Sequence, residues 1–315
     1  MSPTQPTYVL ITPARNEEEF IGLAIRSMIA QTVRPLKWII VSDGSTDRTD
    51  AIAAKYAAAH AWIELLRMPE REERHFGGKA LCFQAGHDRV KHLKYDIIGN
   101  LDADLSFDND VFALLMSKFA GNPKLGVAGV PFAEGNGTYN FRFSSVEHVS
   151  GACQLFRREC FEAIGGYRPM KGGGLDVVAV LTARMKGWET RTFPEKFCFH
   201  HRSMGSAKHN AATISFRLGQ KDYRLGRHPL WQLFRGLYQT TRPPLLIGGL
   251  MLLSGYLWNA LRREPRNVPK EVIDFQRWEQ MRRLRQFITR GIWFRKSPDA
   301  VSSGKLGQPT AAKVG

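Results

Sequence analysis

Asp102 and Asp104 stand one residue apart, directly after the apolar run at residues 95–101. At the end of a buried strand both carboxylates can face one hard cation, which takes oxygen ligands and bridges to substrate phosphates. The plainer use of the same residues is a turn, with Asp104 or Ser106 capping a helix near residues 108–119. Asp43 follows a second apolar run, residues 38–42. An acid there can accept hydrogen bonds from a ribose or a base, and before Gly44 it also suits a simple turn. Pro13, Arg15 and Glu17 follow a third run at residues 8–12. Arg15 can bind phosphate, while Glu17 can favour a helix N-terminus. Gly77-Gly78-Lys79 lets backbone N–H groups approach a phosphate and adds a charge, but its spacing is not that of a P-loop.

Further along, Asp176 ends the Gly-rich stretch at residues 172–176. By itself it can cap the helix that follows. His200, His201 and Arg202 follow the apolar stretch 193–199. Arg202 can clamp a diphosphate, and one His can complete a metal shell or contact phosphate, against the alternative of a solvent-facing pair. Lys208 and Arg217 are further cations for phosphate.

The elements that must position these groups alternate. Strands are expected at residues 8–12, 38–42, 63–66 and 95–101, and helices at 17–31, 47–56, 79–91 and 177–186. Such alternation predicts an α/β, Rossmann-like, mostly parallel central sheet flanked by helices. Ligands of such sheets sit at the carboxyl ends of the strands, where the acids cluster. The Gly- and Pro-rich segments 121–137 and 165–174 read as loops.

Four motifs in order carry a family resemblance: residues 13–18, 41–49, 78–86 and 100–104. They resemble the family 2 glycosyltransferases with the GT-A fold, over residues 8 to about 205. Residues 160–167 and the Gly-rich loop before Asp176 extend it. The resemblance implies an inverting, metal-dependent transfer from a UDP- or GDP-sugar to a lipid-linked or saccharide acceptor, with Mg²⁺ or Mn²⁺. It implies nucleotide contacts by Pro13, Arg15, Glu17, Asp43, Lys79 and Asp102. Asp102, Asp104 and His201 are taken for the metal, Arg202 and His200 for the diphosphate, and Asp176 for the base. Family members commonly carry Glu-Asp where this chain has Leu175-Asp176, so Asp176 alone is carried over. A nucleotidyltransferase acting on sugar phosphates is the competing enzyme reading, but a Gly-rich N-terminal signature of that chemistry is missing.

Charge and hydropathy add a second theme. The chain has 45 Lys and Arg against 29 Asp and Glu, a net charge of +16. Residues 224–296 hold 15 of those basic residues and 4 of the acids. Residues 243–261 are apolar except for Ser254 and Asn259, with arginines on both sides. Nineteen residues lie at the lower limit for crossing a bilayer, so a span, a re-entrant or interfacial helix and a buried helix of a C-terminal subdomain are all open. In residues 271–290 a stripe of Phe275, Trp278, Met281, Leu284, Phe287 and Ile288 is bordered by arginines, which suits an anionic membrane surface or the edge of a catalytic core. Charge beside an apolar stretch favours membrane over nucleic acid, and no nucleic-acid-binding motif is visible. The expected organisation is a flexible start at 1–7, a GT-A domain at 8–209, a helical membrane-associating region at 210–296 and a disordered tail at 297–315. Four widely spaced cysteines and no export signal pattern place the expected site of action at the cytoplasmic face of the inner membrane, held peripherally or by one hydrophobic helix.

Overall fold

The computed structural model describes residues 5–69, 77–134, 145–170, 172–202, 210–242 and 244–289. The calls at Lys208 and on the tail at 297–315 lie outside these residues.

The first strands are β1 (Tyr8–Ala14), β2 (Lys37–Ser42), β3 (Ile63–Arg67) and β4 (Ile97–Leu101). They alternate with α1 (Ile21–Ile29), α2 (Thr49–Ala59) and α3 (Gly78–Val90). Next come β5 (Leu105–Phe107), α4 (Val111–Gly121), β6 (Leu125–Gly129), β7 (Phe132–Ala133), β8 (Cys153–Arg157), α5 (Arg158–Ile164), α6 (Leu175–Met185), β9 (Glu189–Thr192) and β10 (Cys198–His200). Four helices close the described chain: α7 (Ala211–Arg224), α8 (Pro229–Thr240), α9 (Ile247–Leu261) and α10 (Lys270–Thr289).

The seven-stranded sheet has the order β3-β2-β1-β4-β8-β6-β9, with β8 antiparallel to both its neighbours and the other pairs parallel. Strand alternation divides the core. Tyr8, Leu10, Trp38 and Ile40 face α1, α2 and α4, while Val9, Ile11, Ile39 and Val41 face α3, α5 and α6. This is the α/β, mostly parallel sheet expected from the alternation. A second sheet, β5-β10-β7, pairs His200 with Leu105 in antiparallel register. That pairing brings the chain after β9 back to Asp104.

Several local expectations are corrected. No helix follows Asp104 directly; β5 intervenes, and α4 starts at Val111 without a side-chain cap. The segment expected as a loop at 121–137 contains β6 and β7, because Leu125, Val127 and Ala128 are apolar and buried between Asn122-Pro123 and Val130-Pro131. α1 begins at Ile21 rather than near Glu17, since the backbone N–H groups of Glu17 and Glu18 are held by Thr49 and Asp47 (2.7 and 3.0 Å).

The apolar run near 243–261 becomes the fifteen-residue α9. Among the described residues no helix is long and apolar enough to cross a membrane. The glycines of α9 face inward: a Cβ on Gly255 would meet the Phe216 carbonyl oxygen at 2.0 Å, and one on Gly219 would meet that of Leu252 at 2.0 Å. α7 and α9 therefore touch backbone to backbone. The outer face of α9 keeps Leu250, Leu257, Trp258 and Leu261 exposed, beside Leu230, Leu233 and Leu237 of α8. α10 buries Val272, Ile273, Gln276, Glu279 and Gln280, leaving Trp278 and Ile288 of the expected stripe exposed. Its Glu279 pairs bidentately with Arg184 of α6 (2.8 and 3.0 Å).

Candidate active site

A cleft of about 720 Å³ opens at the carboxyl ends of β1, β2 and β4. Its walls include Pro13, Arg15, Glu17, Asp43, Lys79, Asp102, Asp104, Asp176 and His200. Nine of the residues singled out in the sequence thus line one space. His201 and Arg202 stand just behind it.

The two loops that present the first wall are tied together. Asn16 adopts φ 53°, a left-handed conformation that Asn tolerates. Its side chain accepts from the Thr46 N–H (2.9 Å), and its own N–H donates to Ser45 Oγ (3.2 Å). Arg15 Nη1 lies 3.7 Å from Asp43 Oδ2. Asp43 also sits against α3, where a Cβ on Gly78 would come within 2.9 Å of its carboxylate oxygen. Glycine at that position lets the helix start approach the acid.

Asp102 and Asp104 diverge in their surroundings. Asp102 Oδ1 accepts from Lys79 Nζ (2.6 Å) and Asn100 Nδ2 (3.0 Å). Lys79 is thereby fixed across the start of α3 and the end of β4. Asp104 is buried, with His200 Nε2 at 3.4 Å and Arg202 Nε at 3.9 Å from Oδ2. Burial first, and then the charge of Asp102, push its pKa up from the ordinary carboxylate value; His200 and Arg202 pull the other way. Arg202 also reaches Glu17 Oε2 at 2.6 Å.

The adjacent histidines part company. His200 lies between Asp104 and Glu134, with Nδ1 2.9 Å from Glu134 Oε1. His201, taken from the sequence for the metal, turns instead to Ser106 Oγ (2.8 Å) and stacks on Phe20. Burial lowers its pKa. Among the described residues no group of three or more His, Cys, Asp or Glu side chains converges as a metal cage. Asp104 and His200 form an open pair, which suits a cation that completes its shell with substrate oxygens.

Asp176 opens α6 across the cleft. It does not cap the helix: Gly174 occupies that position at φ 96°, and the Asp176 carboxylate instead accepts from the Gly151 N–H at 3.3 Å. Gly151 is also the point where Lys79 and Asn100 meet its carbonyl oxygen, at 3.4 and 2.6 Å. One peptide segment thus links the Asp102 and Asp176 walls. Arg217 lies exposed on α7, outside the cleft lining. Sequence reading missed Gly151, Glu134 and Lys221. Nothing local marks them: Glu134 follows β7, which pairs with β10, Gly151 precedes β8, which pairs with β4, and Lys221 arrives with α7.

The sequence matches the profile of Glycosyl transferase family 2 over residues 9–167, half of the chain. The chain belongs to glycosyl transferase family 2. Among curated relatives, a 4,4'-diaponeurosporenoate glycosyltransferase of Staphylococcus aureus is 28% identical over 181 residues, covering 50% of this chain and 46% of the relative. The chain thus spans about half the length of the curated relatives it matches. Among solved structures, the mannosyltransferase PcManGT of Pyrobaculum calidifontis, in complex with GDP-Man and Mn²⁺, is 17% identical. It superimposes with a TM-score of 0.55 over 94% of this chain and 90% of its own. TarS 1–349 of S. aureus, in complex with UDP-GlcNAc, gives 0.51 at 12% identity over 89% and 81%. These likenesses identify the fold as that of GT-A glycosyltransferases.

Proposed function

We propose that the chain transfers a sugar from a UDP- or GDP-sugar to an acceptor hydroxyl with inversion at the anomeric carbon. The observation that carries this reading is the cleft itself. A base-side acid (Asp43), a diphosphate-side pair (Asp102 and Asp104) and an opposed acid (Asp176) line one space at the strand ends. Arg15 and Lys79 supply positive charge for the nucleotide phosphates. Asp104 with His200 fits a divalent cation, Mg²⁺ or Mn²⁺, and Asp102 stands beside them. When bound, such a cation offsets charge on the leaving diphosphate. Arg202, held by Glu17, adds a cation on the same side.

In the transfer the acceptor oxygen bonds to the anomeric carbon as the bond to the diphosphate oxygen breaks. The hydroxyl proton passes to the Asp176 carboxylate, and the nucleoside diphosphate leaves. The Gly151 N–H holds that carboxylate in place. Asp176→Asn is expected to cut transfer about 10²–10⁴-fold with nucleotide binding retained. The assay follows release of UDP or GDP and the anomeric configuration of the product. Transfer undiminished in this variant, or a product of retained configuration, contradicts the assignment.

The acceptor side is read as membrane-associated, at the cytoplasmic face of the inner membrane. Support comes from the exposed leucines of α8 and α9 and from the arginines near them. Arg262 lies over Trp258 and Arg242 over Tyr238, a rim of charge around an apolar face. That pairing suits an anionic bilayer surface.

A further inference from the structure

The Asp176 end of the cleft carries a further cation. Lys221 of α7 lines it, together with Gly173, Gly174, Leu175 and Asp176. Its Cε lies 3.4 Å from where a Cβ on Gly174 would stand, so the side chain lies against the Gly-rich loop that leads into Asp176. The Lys221 ammonium makes no ion pair or side-chain hydrogen bond with any described residue. Every other basic side chain of the cleft wall does: Arg15 pairs with Asp43, Lys79 with Asp102, and His200 with Asp104. A half-buried, unpaired ammonium facing a cleft is the chemistry of an anion site.

The helix that carries it points to what kind of anion. Residues three and four apart share a helix face. Ile214, Leu218 and Lys221 follow that spacing, so they form one stripe of α7. Ile214 and Leu218 are both 38% exposed. The stripe therefore runs from apolar surface to a cation inside the cleft. On its opposite side α7 is buried against α9 through Gly219.

Resting on the transferase reading above, we infer that the hydroxyl-bearing acceptor is an amphiphile with an anionic group in its head and an apolar chain: the anionic group sits on Lys221, the hydroxyl faces Asp176, and the chain lies along Leu218 and Ile214. This makes Lys221 a specificity-determining residue for the acceptor. It also sets the order of the cleft, with the nucleotide at the β1–β4 end, Asp176 in the middle and the amphiphile entering along α7.

The test titrates the full chain, preloaded with nucleoside diphosphate and Mn²⁺, with four probes below their micellar concentrations: octyl phosphate, octanoate, octanol and inorganic phosphate. Octyl phosphate or octanoate is expected to bind at least about tenfold more tightly than octanol. Lys221→Ala is expected to remove that preference and Lys221→Arg to keep it. Leu218→Ser is expected to weaken the alkyl anions while leaving inorganic phosphate unchanged. The preference between phosphate and carboxylate heads identifies the head class. Equal binding of octanol and the anions overturns the inference, as does a preference that survives Lys221→Ala. Tightest binding of inorganic phosphate also overturns it, since the site then takes a free anion. Nucleotide binding on the same samples separates the two readings. If wild type fails to bind nucleotide, the transferase reading falls. If Lys221→Ala loses nucleotide along with the amphiphile, Lys221 belongs to the donor and the inference falls.

Discussion

Burial and the neighbouring Asp102 charge both raise the Asp104 pKa, and the opposing pull of His200 and Arg202 is smaller. The folded state therefore holds the Asp104 proton more tightly than the unfolded chain does. As pH rises from the ordinary carboxylate range through the raised folded pKa, ionisation costs the folded state stability. A bound cation would favour the ionised form and oppose that cost. In EDTA, Asp104→Asn is expected to raise Tm by about 2 °C or more, a gain that shrinks as pH is lowered into the acid range. A lower or unchanged Tm in a thermal melt at neutral pH would contradict this. Asp43, Asp102 and Asp104 were legible because each follows an apolar run that ends a parallel strand. The choice between His200 and His201 was not. Successive strand residues point to opposite faces, and which face meets Asp104 depends on the pairing of β10 with β5.

Among the elements, α9 shows how one composition supports two readings. Its apolar run, taken alone, fits a short membrane span. Gly248, Gly249 and Gly255 carried the other signal, since small residues on one face allow helices to meet closely. In the fold they form the seam with α7 and α8. Gly255→Ala places a methyl on the Phe216 carbonyl. It is expected to cost about 1–3 kcal/mol, read as a lower urea midpoint with faster hydrogen exchange in α7. A wild-type midpoint would mean that the seam is looser than described. β5, β6 and β7 escaped the sequence reading because they are two to five residues long and lie among glycines and prolines. Their pairing comes from partners far along the chain. The same is true of the α10 contact, where Arg184 and Glu279 stand 95 residues apart. The long runs at β1, β2 and β4 needed no such partner to be recognised.

On the scale of the whole molecule, a net charge of +16 and an apolar face on α8 and α9 coincide with a cleft that gathers Glu17, Asp43, Asp102, Asp104 and Asp176. The full chain is expected to sediment with phosphatidylglycerol vesicles and not with phosphatidylcholine vesicles, and to be released by about 1 M salt, which screens surface charge. The double variant Leu250→Glu, Leu257→Glu should stay in solution while still binding nucleotide. Equal sedimentation with neutral vesicles, or sedimentation of the double variant, would remove the membrane from the reading. The most direct check lies at the donor end. Calorimetric titration of wild type and Asp104→Asn with UDP and GDP, with and without Mn²⁺, should show one nucleotide bound by wild type only when Mn²⁺ is present. The variant should lose that binding while remaining folded. A folded wild type that binds neither nucleotide, or a variant that binds as wild type does, would contradict the assignment of this cleft to a metal-dependent sugar donor.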